Sequence, residues 1–264
     1  MKNQPIQIKP STILMAVVTT ACLLAAQSAI GASDTWVGNT TASWNLAGNW
    51  NPASVPATGD DLTFWVAGSQ GAGLNNDITA GTIFDSITFS SGASAYTLAG
   101  NSVTLTNGYN TTGGVSVTGG GIANNAGSSV NEIISLPLTL SAGNHAVSTG
   151  SGSGTLSFSG TYARNADATV QFTKSGGNIN YTSSGLANVN GIIGGYAVIG
   201  LGSNAGDWAA LDGSQNVIAY ASYSTKSGGT SLALSSSGGN AATNMKINSR
   251  SSTANTLNST TAGT

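Results

Sequence analysis

The amino-acid sequence predicts an all-β fold in which short strands stack as a β-solenoid closed at its front by an aromatic cap, with a β-sandwich as the alternative. Three features carry this expectation. Apolar side chains recur two apart in short runs, clusters of Gly, Asn, Ser and Thr separate the runs, and beyond the N-terminal leader no stretch of ten or more residues repeats at i, i+3, i+4, i+7. Period-two alternation turns one face of a strand inward and the other to water.

The first segment, 1–32, reads as a secretory signal peptide. Lys2 and Lys9 precede an apolar run from Ile13 to Ala26, and the small residues Ser28-Ala29-Ile30-Gly31-Ala32 follow. The run is shorter than the ~20 residues a spanning helix needs, so the mature chain is expected to carry no transmembrane span. Cys22, the single cysteine, lies inside the run and is followed by Leu23-Leu24, which argues against a lipid anchor. A mature chain without Cys22 has no disulfide, thiolate nucleophile or cysteine metal ligand.

Residues 33–79 are expected to form the cap. Trp36, Trp44 and Trp50 crowd together with Pro52 and Pro56 ahead of Asp60-Asp61-Leu62-Thr63-Phe64. An open solenoid end exposes an apolar cross-section that large aromatics cover. Residues 80–235 supply the stacked strands: Ile87-Thr88-Phe89, Val103-Thr104-Leu105, Val115-Ser116-Val117, Leu136-Pro137-Leu138-Thr139-Leu140, Leu156-Ser157-Phe158, Val170-Gln171-Phe172 and Leu232-Ala233-Leu234. Turns are expected at Ser91-Gly92-Ala93-Ser94, Gly119-Gly120-Gly121 and Ser175-Gly176-Gly177-Asn178. From 236 to 264 apolar residues thin out, which reads as a poorly ordered or truncated end.

Strand length and charge separate the solenoid from the sandwich. The runs are often three residues long, against a mean strand of ~5–6. Charged residues make up 6% of the sequence, and stacked rungs, which place like side chains above one another, penalise charge while tolerating Thr, Ser and Asn ladders. No fixed repeat length is evident from the triplets.

Trp36-Val37-Gly38-Asn39, Ser43-Trp44, Asn49-Trp50, Pro56 and Gly59-Asp60-Asp61-Leu62-Thr63-Phe64 resemble the mature start of bacterial autotransporter-associated β-strand repeat proteins. Ser86-Ile87-Thr88-Phe89 with Tyr96-Thr97-Leu98-Ala99-Gly100 is similar to their repeat, and Gly194-Gly195-Tyr196-Ala197-Val198, Asp207-Trp208-Ala209 and Tyr220-Ala221-Ser222-Tyr223 extend the likeness. The resemblance implies a secreted or cell-surface passenger folded as a right-handed parallel β-helix. The C-terminal membrane barrel of an autotransporter has no counterpart in the sequence.

Composition excludes several function classes. Without Lys2 and Lys9 five basic residues face nine acidic ones, a net charge of −4, so nucleic acid is not an expected partner. Glycoside cleavage needs two spaced carboxyl groups. The candidates are Asp34, Asp60, Asp61, Asp77, Asp85, Glu132, Asp167, Asp207 and Asp212, and adjacent Asp60 and Asp61 would face opposite sides of a strand. Pectin-degrading β-helices lead one to look for Gly-His-Gly and Arg-x-Lys, whereas here Asn144-His145-Ala146 and Arg164-Asn165-Ala166 stand. His145, the single histidine, reads as a solvated turn residue and cannot build a multi-imidazole metal site. No phosphate-cradling or calcium-repeat glycine motif is present.

A structural or adhesive module without catalytic activity or cofactor is therefore expected, secreted or at the bacterial cell surface, with a polysaccharide-binding or polysaccharide-degrading β-helix as the alternative. Its partners would be extracellular polysaccharide, cell-surface components or further copies of itself. The segment Gly194 to Tyr223 is the place to look for a site. There Tyr196, Trp208, Tyr220 and Tyr223 would stack on sugars, or else pack over rung edges while Asp207 and Asp212 cap turns. The second reading is the one expected, and full burial of Trp208 would then make its truncation cost about 3 to 5 kcal/mol.

Overall fold

Alternation of the kind in Ser86-Ile87-Thr88-Phe89 forces apolar side chains to one side, and a short strand finds its ladder partners one turn of chain away rather than in a hairpin. The computed structural model describes residues 31–106, 120–127, 129–182, 185–200 and 206–222, with the short strands Ser224–Lys226, Leu232–Ala233, Met245–Ile247 and Leu257–Asn258. Most of the expected signal segment, the Val115–Val117 triplet, Leu234 and Tyr223 lie outside the described residues.

The strands follow one another as β1 (Ser33–Trp36), β2 (Trp50–Asn51), β3 (Asp61–Phe64), β4 (Gly73–Asn76), β5 (Thr82–Phe84), β6 (Ser86–Phe89), β7 (Thr97–Gly100) and β8 (Val103–Leu105). Beyond them come β9 (Gly121–Asn124), β10 (Glu132–Ile134), β11 (Leu138–Leu140), β12 (Gly143–Thr149), β13 (Leu156–Phe158), β14 (Tyr162–Arg164), β15 (Ala168–Lys174), β16 (Ile179–Tyr181) and β17 (Ala197–Ile199). The described chain ends with β18 (Asp207–Leu211), β19 (Val217–Ala219), β20 (Ser224–Lys226), β21 (Leu232–Ala233), β22 (Met245–Ile247) and β23 (Leu257–Asn258).

These strands make an all-β solenoid of about six turns with three faces. Sheet A stacks β1, β3, β6, β9, β12, β15 and β17 in parallel; sheet B stacks β4, β7, β10, β13 and β16; sheet C stacks β5, β8, β11 and β14. The repeat that the triplets conceal is visible in the register. Asp61 and Ser86, Asn76 and Asn101, and Asn144 and Thr169 are bonded pairs 25 residues apart. One turn is longer, with Tyr96 and Glu132 bonded 36 residues apart. That insertion hides the period from sequence alone.

Each sheet sends a column of side chains into the core. Leu62, Ile87, Ile122, Val147 and Phe172 rise in register under sheet A. Leu74, Leu98, Ile134, Phe158 and Tyr181 do so under sheet B, and Phe84, Leu105 and Leu140 under sheet C. All of these are buried, and each contributes roughly 1.5–3 kcal/mol relative to exposure. Polar side chains inside are satisfied at the corners: Asn76 Nδ2 donates to Asn101 O and its Oδ1 accepts Ile78 N–H, while Asn124 Oδ1 accepts Ala126 N–H.

The front end is closed as the aromatic count predicts. Trp36 meets Trp50 edge-on at 5.1 Å, Trp44 meets Trp50 at 5.9 Å and Phe64 at 5.6 Å, and Trp50 Nε1 donates to the Trp44 carbonyl at 2.8 Å. β2 runs antiparallel to β1 and covers the sheet edge. Within 33–79, β1, β3 and β4 already belong to the parallel stack, so the covering segment is the stretch around Trp44 and Trp50.

In sheet A the parallel ladder reaches β17, and β18 and β19 follow antiparallel. Ala209, Ala210, Leu211 and Val217 are buried there. Three consecutive buried residues depart from the alternation of the rungs below, and here sheet A is continued by antiparallel rather than parallel strands. Gly121, read as a turn residue, begins β9, and a Cβ on it would lie 2.3 Å from the Ala146 carbonyl oxygen, so close approach of two rungs is what requires glycine. The 236–264 segment, expected to lack order, contains β22 and β23, which pair in parallel with β20 and β21.

Candidate functional site

The outward rows of the three sheets run continuously from rung to rung. On sheet A, Thr35, Thr63, Thr88, Ala123, Ser148 and Thr173 stand in register, one per strand. Strands lie about 4.8 Å apart, so this row presents a hydroxyl at nearly every rung. Beside it run Ser33, Asp61, Ser86, Gly121, Ala146, Gln171 and Val198. Sheet B shows Thr97, Ile133, Ser157 and Asn180, with Ser135 and Ser159 hydroxyls bonded at 2.8 Å. Sheet C shows Ile83, Thr104, Thr139 and Ala163. Asp61 is the one charged side chain in these rows.

The carboxylates do not converge on a cleft. Asp34, Asp60, Asp61 and Asp85 gather at the corner where rungs of sheet A begin, and two of them, Asp60 and Asp61, are engaged in hydrogen bonds of the fold. Asp60 accepts Ala32 N–H and Ala57 N–H, and Asp61 accepts the Ser86 hydroxyl. Buried Asp34 is pushed up to about 6 by burial and by the neighbouring Asp60 carboxyl, and Asp85 is raised by burial and the charges of Asp61 and Asp60. Asp77 accepts Ser43 hydroxyl and Asn45 N–H, and Asp212 accepts Ser214 N–H and Asn216 N–H. Asp167 occupies a left-handed turn position with φ 64°. Among the described residues no three His, Cys, Asp or Glu side chains are grouped to hold a metal ion.

His145 corrects the sequence reading. It lies inside β12, not in a solvated turn, and is buried against the core with Nε2 2.8 Å from Ser141 O. Gly143-Asn144, read as turn residues, start a seven-residue strand in register with β15, and alternation then turns His145 inward. Burial lowers its pKa. Glu132 is likewise internal, at the inward position opposite Leu156, with Oε2 accepting Tyr96 N–H at 2.7 Å.

In the Gly194–Tyr223 segment the two readings divide by residue. Asp212 takes the turn role that its neighbour Gly213 predicts. Trp208, by contrast, is 39% exposed on the outer side of sheet A next to Val198. Trp208→Ala should therefore lower stability by about 1 to 2 kcal/mol, less than the 3 to 5 expected for a fully buried ring. A thermal unfolding midpoint that dropped by many degrees would contradict the exposed placement.

Trp65, which the sequence reading passed over, is 55% exposed beside Val66. Alternation contains the signal, since an inward Phe64 obliges Trp65 to point out.

Tyr196 is half-buried and belongs to a different feature. Among the described residues sheet B has five strands and sheet C four, and beyond β14, the last described strand of sheet C, lies a pocket of about 370 Å³. Tyr162, Arg164, Leu186, Val189, Ile193 and Tyr196 line it. Arg164 stands in register with Leu140, at the end of an apolar column, and its guanidinium lies 3.7 Å over the Tyr196 ring.

Comparison with protein-family models, with curated proteins and with solved structures gave no match. No helix among the described residues is long and apolar enough to cross a membrane.

Proposed function

We propose that this chain is an exported structural or adhesive β-solenoid of the bacterial cell surface, whose nearly uncharged outer faces contact extracellular polysaccharide without cleaving it. The observation that carries the reading is the in-register row of Thr35, Thr63, Thr88, Ser148 and Thr173 along sheet A. A rigid row of short hydroxyls bonds sugar hydroxyls at little cost in side-chain entropy, and the near absence of charge avoids a desolvation penalty on contact. The leader pattern around Lys2, Lys9 and Ile13–Ala26 and the resemblance to autotransporter-associated repeats support the setting. The use of Asp60, Asp77 and Asp212 in backbone hydrogen bonds supports a role other than catalysis.

The test is retention of the purified chain on a panel of insoluble polysaccharides, with reducing ends and unsaturated sugars assayed in the supernatant. Retention without release is expected, and the double variant Thr63→Glu/Thr88→Glu should lose it while keeping the far-ultraviolet spectrum of the parent. Release of sugar ends would overturn the proposal, as would undiminished retention of the double variant.

A further inference from the structure

Beyond β14, the last described strand of sheet C, the fold forms a built cavity rather than a ragged edge. Residues 185–196 wrap the end of sheet C and are fixed from behind by the terminal hairpin. Asn188 both donates to Leu211 O and accepts Leu211 N–H, and Ile193 N–H donates to Ala209 O at 2.8 Å. Val189 and Ile192 close a tight turn through Asn190 and Gly191, both at positive φ. A Cβ on Gly194, whose φ is 155°, would lie 2.5 Å from the Tyr196 ring, so glycine there lets the ring fold back under the guanidinium. Pocket walls of this kind are set before any ligand arrives, which lowers the ordering cost of binding.

The chemistry of the cavity is asymmetric. Leu186, Val189, Ile193 and the Tyr196 ring give an apolar wall suited to the non-polar face of a pyranose. Arg164 gives the single charge. Its Nη1 spans the carbonyls of Asn165 and Ala168 at 3.4 Å each, and among the described residues no carboxylate pairs with it. With its Cζ 3.7 Å from the Tyr196 ring centre and its hydrogen bonds to Asn165 and Ala168 made through Nη1, the guanidinium brings to the pocket a charged fork of the kind that takes a carboxylate through two parallel hydrogen bonds. The volume of about 370 Å³ is at the low end for ligand pockets, the size of one or two sugar rings.

We propose that the pocket between β14 and residues 185–196 binds a carboxylate-bearing sugar, a uronic acid residue at the end of an acidic polysaccharide, with Arg164 holding the carboxylate and Tyr196 with Val189 and Ile193 flanking the ring. This site is separate from the sheet A face and does not depend on it.

The experiment is calorimetric titration of the full chain with a galacturonic acid trimer and with the neutral galactose trimer. The acidic trimer is expected to bind at least ten-fold more tightly, and Arg164→Gln should abolish that preference. Val189→Asp, at a position 64% exposed, places a competing carboxylate at the pocket wall and should weaken the acidic trimer at least ten-fold with an unchanged unfolding midpoint. Equal binding of the two trimers, displacement of the acidic trimer by acetate at equal concentration, or parent affinity in both variants would overturn the assignment. Retention on neutral insoluble polysaccharide reads the sheet A face and should be unaffected by Val189→Asp, so failure of one proposal is distinguishable from failure of the other.

Discussion

Glu132→Gln is expected to make the protein more stable than the parent at pH 8 to 9 and to flatten the loss of stability that the parent shows as pH rises. Glu132 is fully buried, and burial, opposed in part by the hydrogen bond from Tyr96 N–H, raises its pKa from 4.5 to about 8. Below pH ~4.5 the carboxyl is protonated in both folded and unfolded chains, so the shift has no effect on stability there. Between ~4.5 and ~8 the unfolded chain releases the proton and the folded chain keeps it, so stability falls by about 1.4 kcal/mol per pH unit. Above ~8 both states are ionised and the full cost, roughly 5 kcal/mol, is reached.

Glutamine retains the acceptor for Tyr96 N–H and removes the titration, while its amide adds a donor costing about 1 to 3 kcal/mol if unpaired. The net gain at pH 9 is then about 2 to 4 kcal/mol. His145 works in the opposite sense: its pKa lies below 6.5, so its share of stability is lost as pH falls through that region. The two are separated by denaturant titration at pH 7, 8 and 9, where a parent slope that Glu132→Gln leaves unchanged would refute the assignment.

Trp44→Ala should produce the largest single destabilisation, about 3 to 5 kcal/mol. Trp44 is fully buried, with Trp50 at 5.9 Å, Phe64 at 5.6 Å and Phe84 at 6.4 Å. Its truncation opens a void at the point where the solenoid's apolar cross-section would otherwise meet water. Loss of its own Nε1–H, which has no partner, offsets a small part of this. At 2–4 °C per kcal/mol for a chain of this size, the midpoint should fall by roughly 10 °C. Because each rung is held by its neighbours, amide exchange should accelerate first in β1 and β3 and last in β12 and β15. A drop of less than about 2 °C would show that the aromatic cluster does not hold the end closed.

Much of the solenoid can be read from residue order, and the reasons for the omissions are particular. Ile87-Thr88-Phe89 and Leu156-Ser157-Phe158 announce themselves because alternation with large apolar residues has one structural solution. Asn144-His145-Ala146 does not, because a polar residue in an inward position looks like a turn until its neighbour β15 is in place. Trp208 misleads for the converse reason, since an aromatic next to Asp207 is taken for core until the antiparallel pairing of its strand with β17 sets which face it takes. Pairing cannot be read from composition when partners lie 25 residues away.

By itself the sequence determined that the described chain is all-β with essentially no helix, that its strands are short, that it is poor in charge and that tryptophans cluster at its front. Each of these follows from a local rule: side-chain period, turn residues and the burial demanded by large aromatics. Tertiary structure alone decided that a pocket lies beyond β14, that Arg164 ends an apolar column over Tyr196, and that Glu132 and His145 are inside. Those outcomes depend on which rung stacks on which, and stacking register is a sum over contacts made across a whole turn of the chain, which no local window contains.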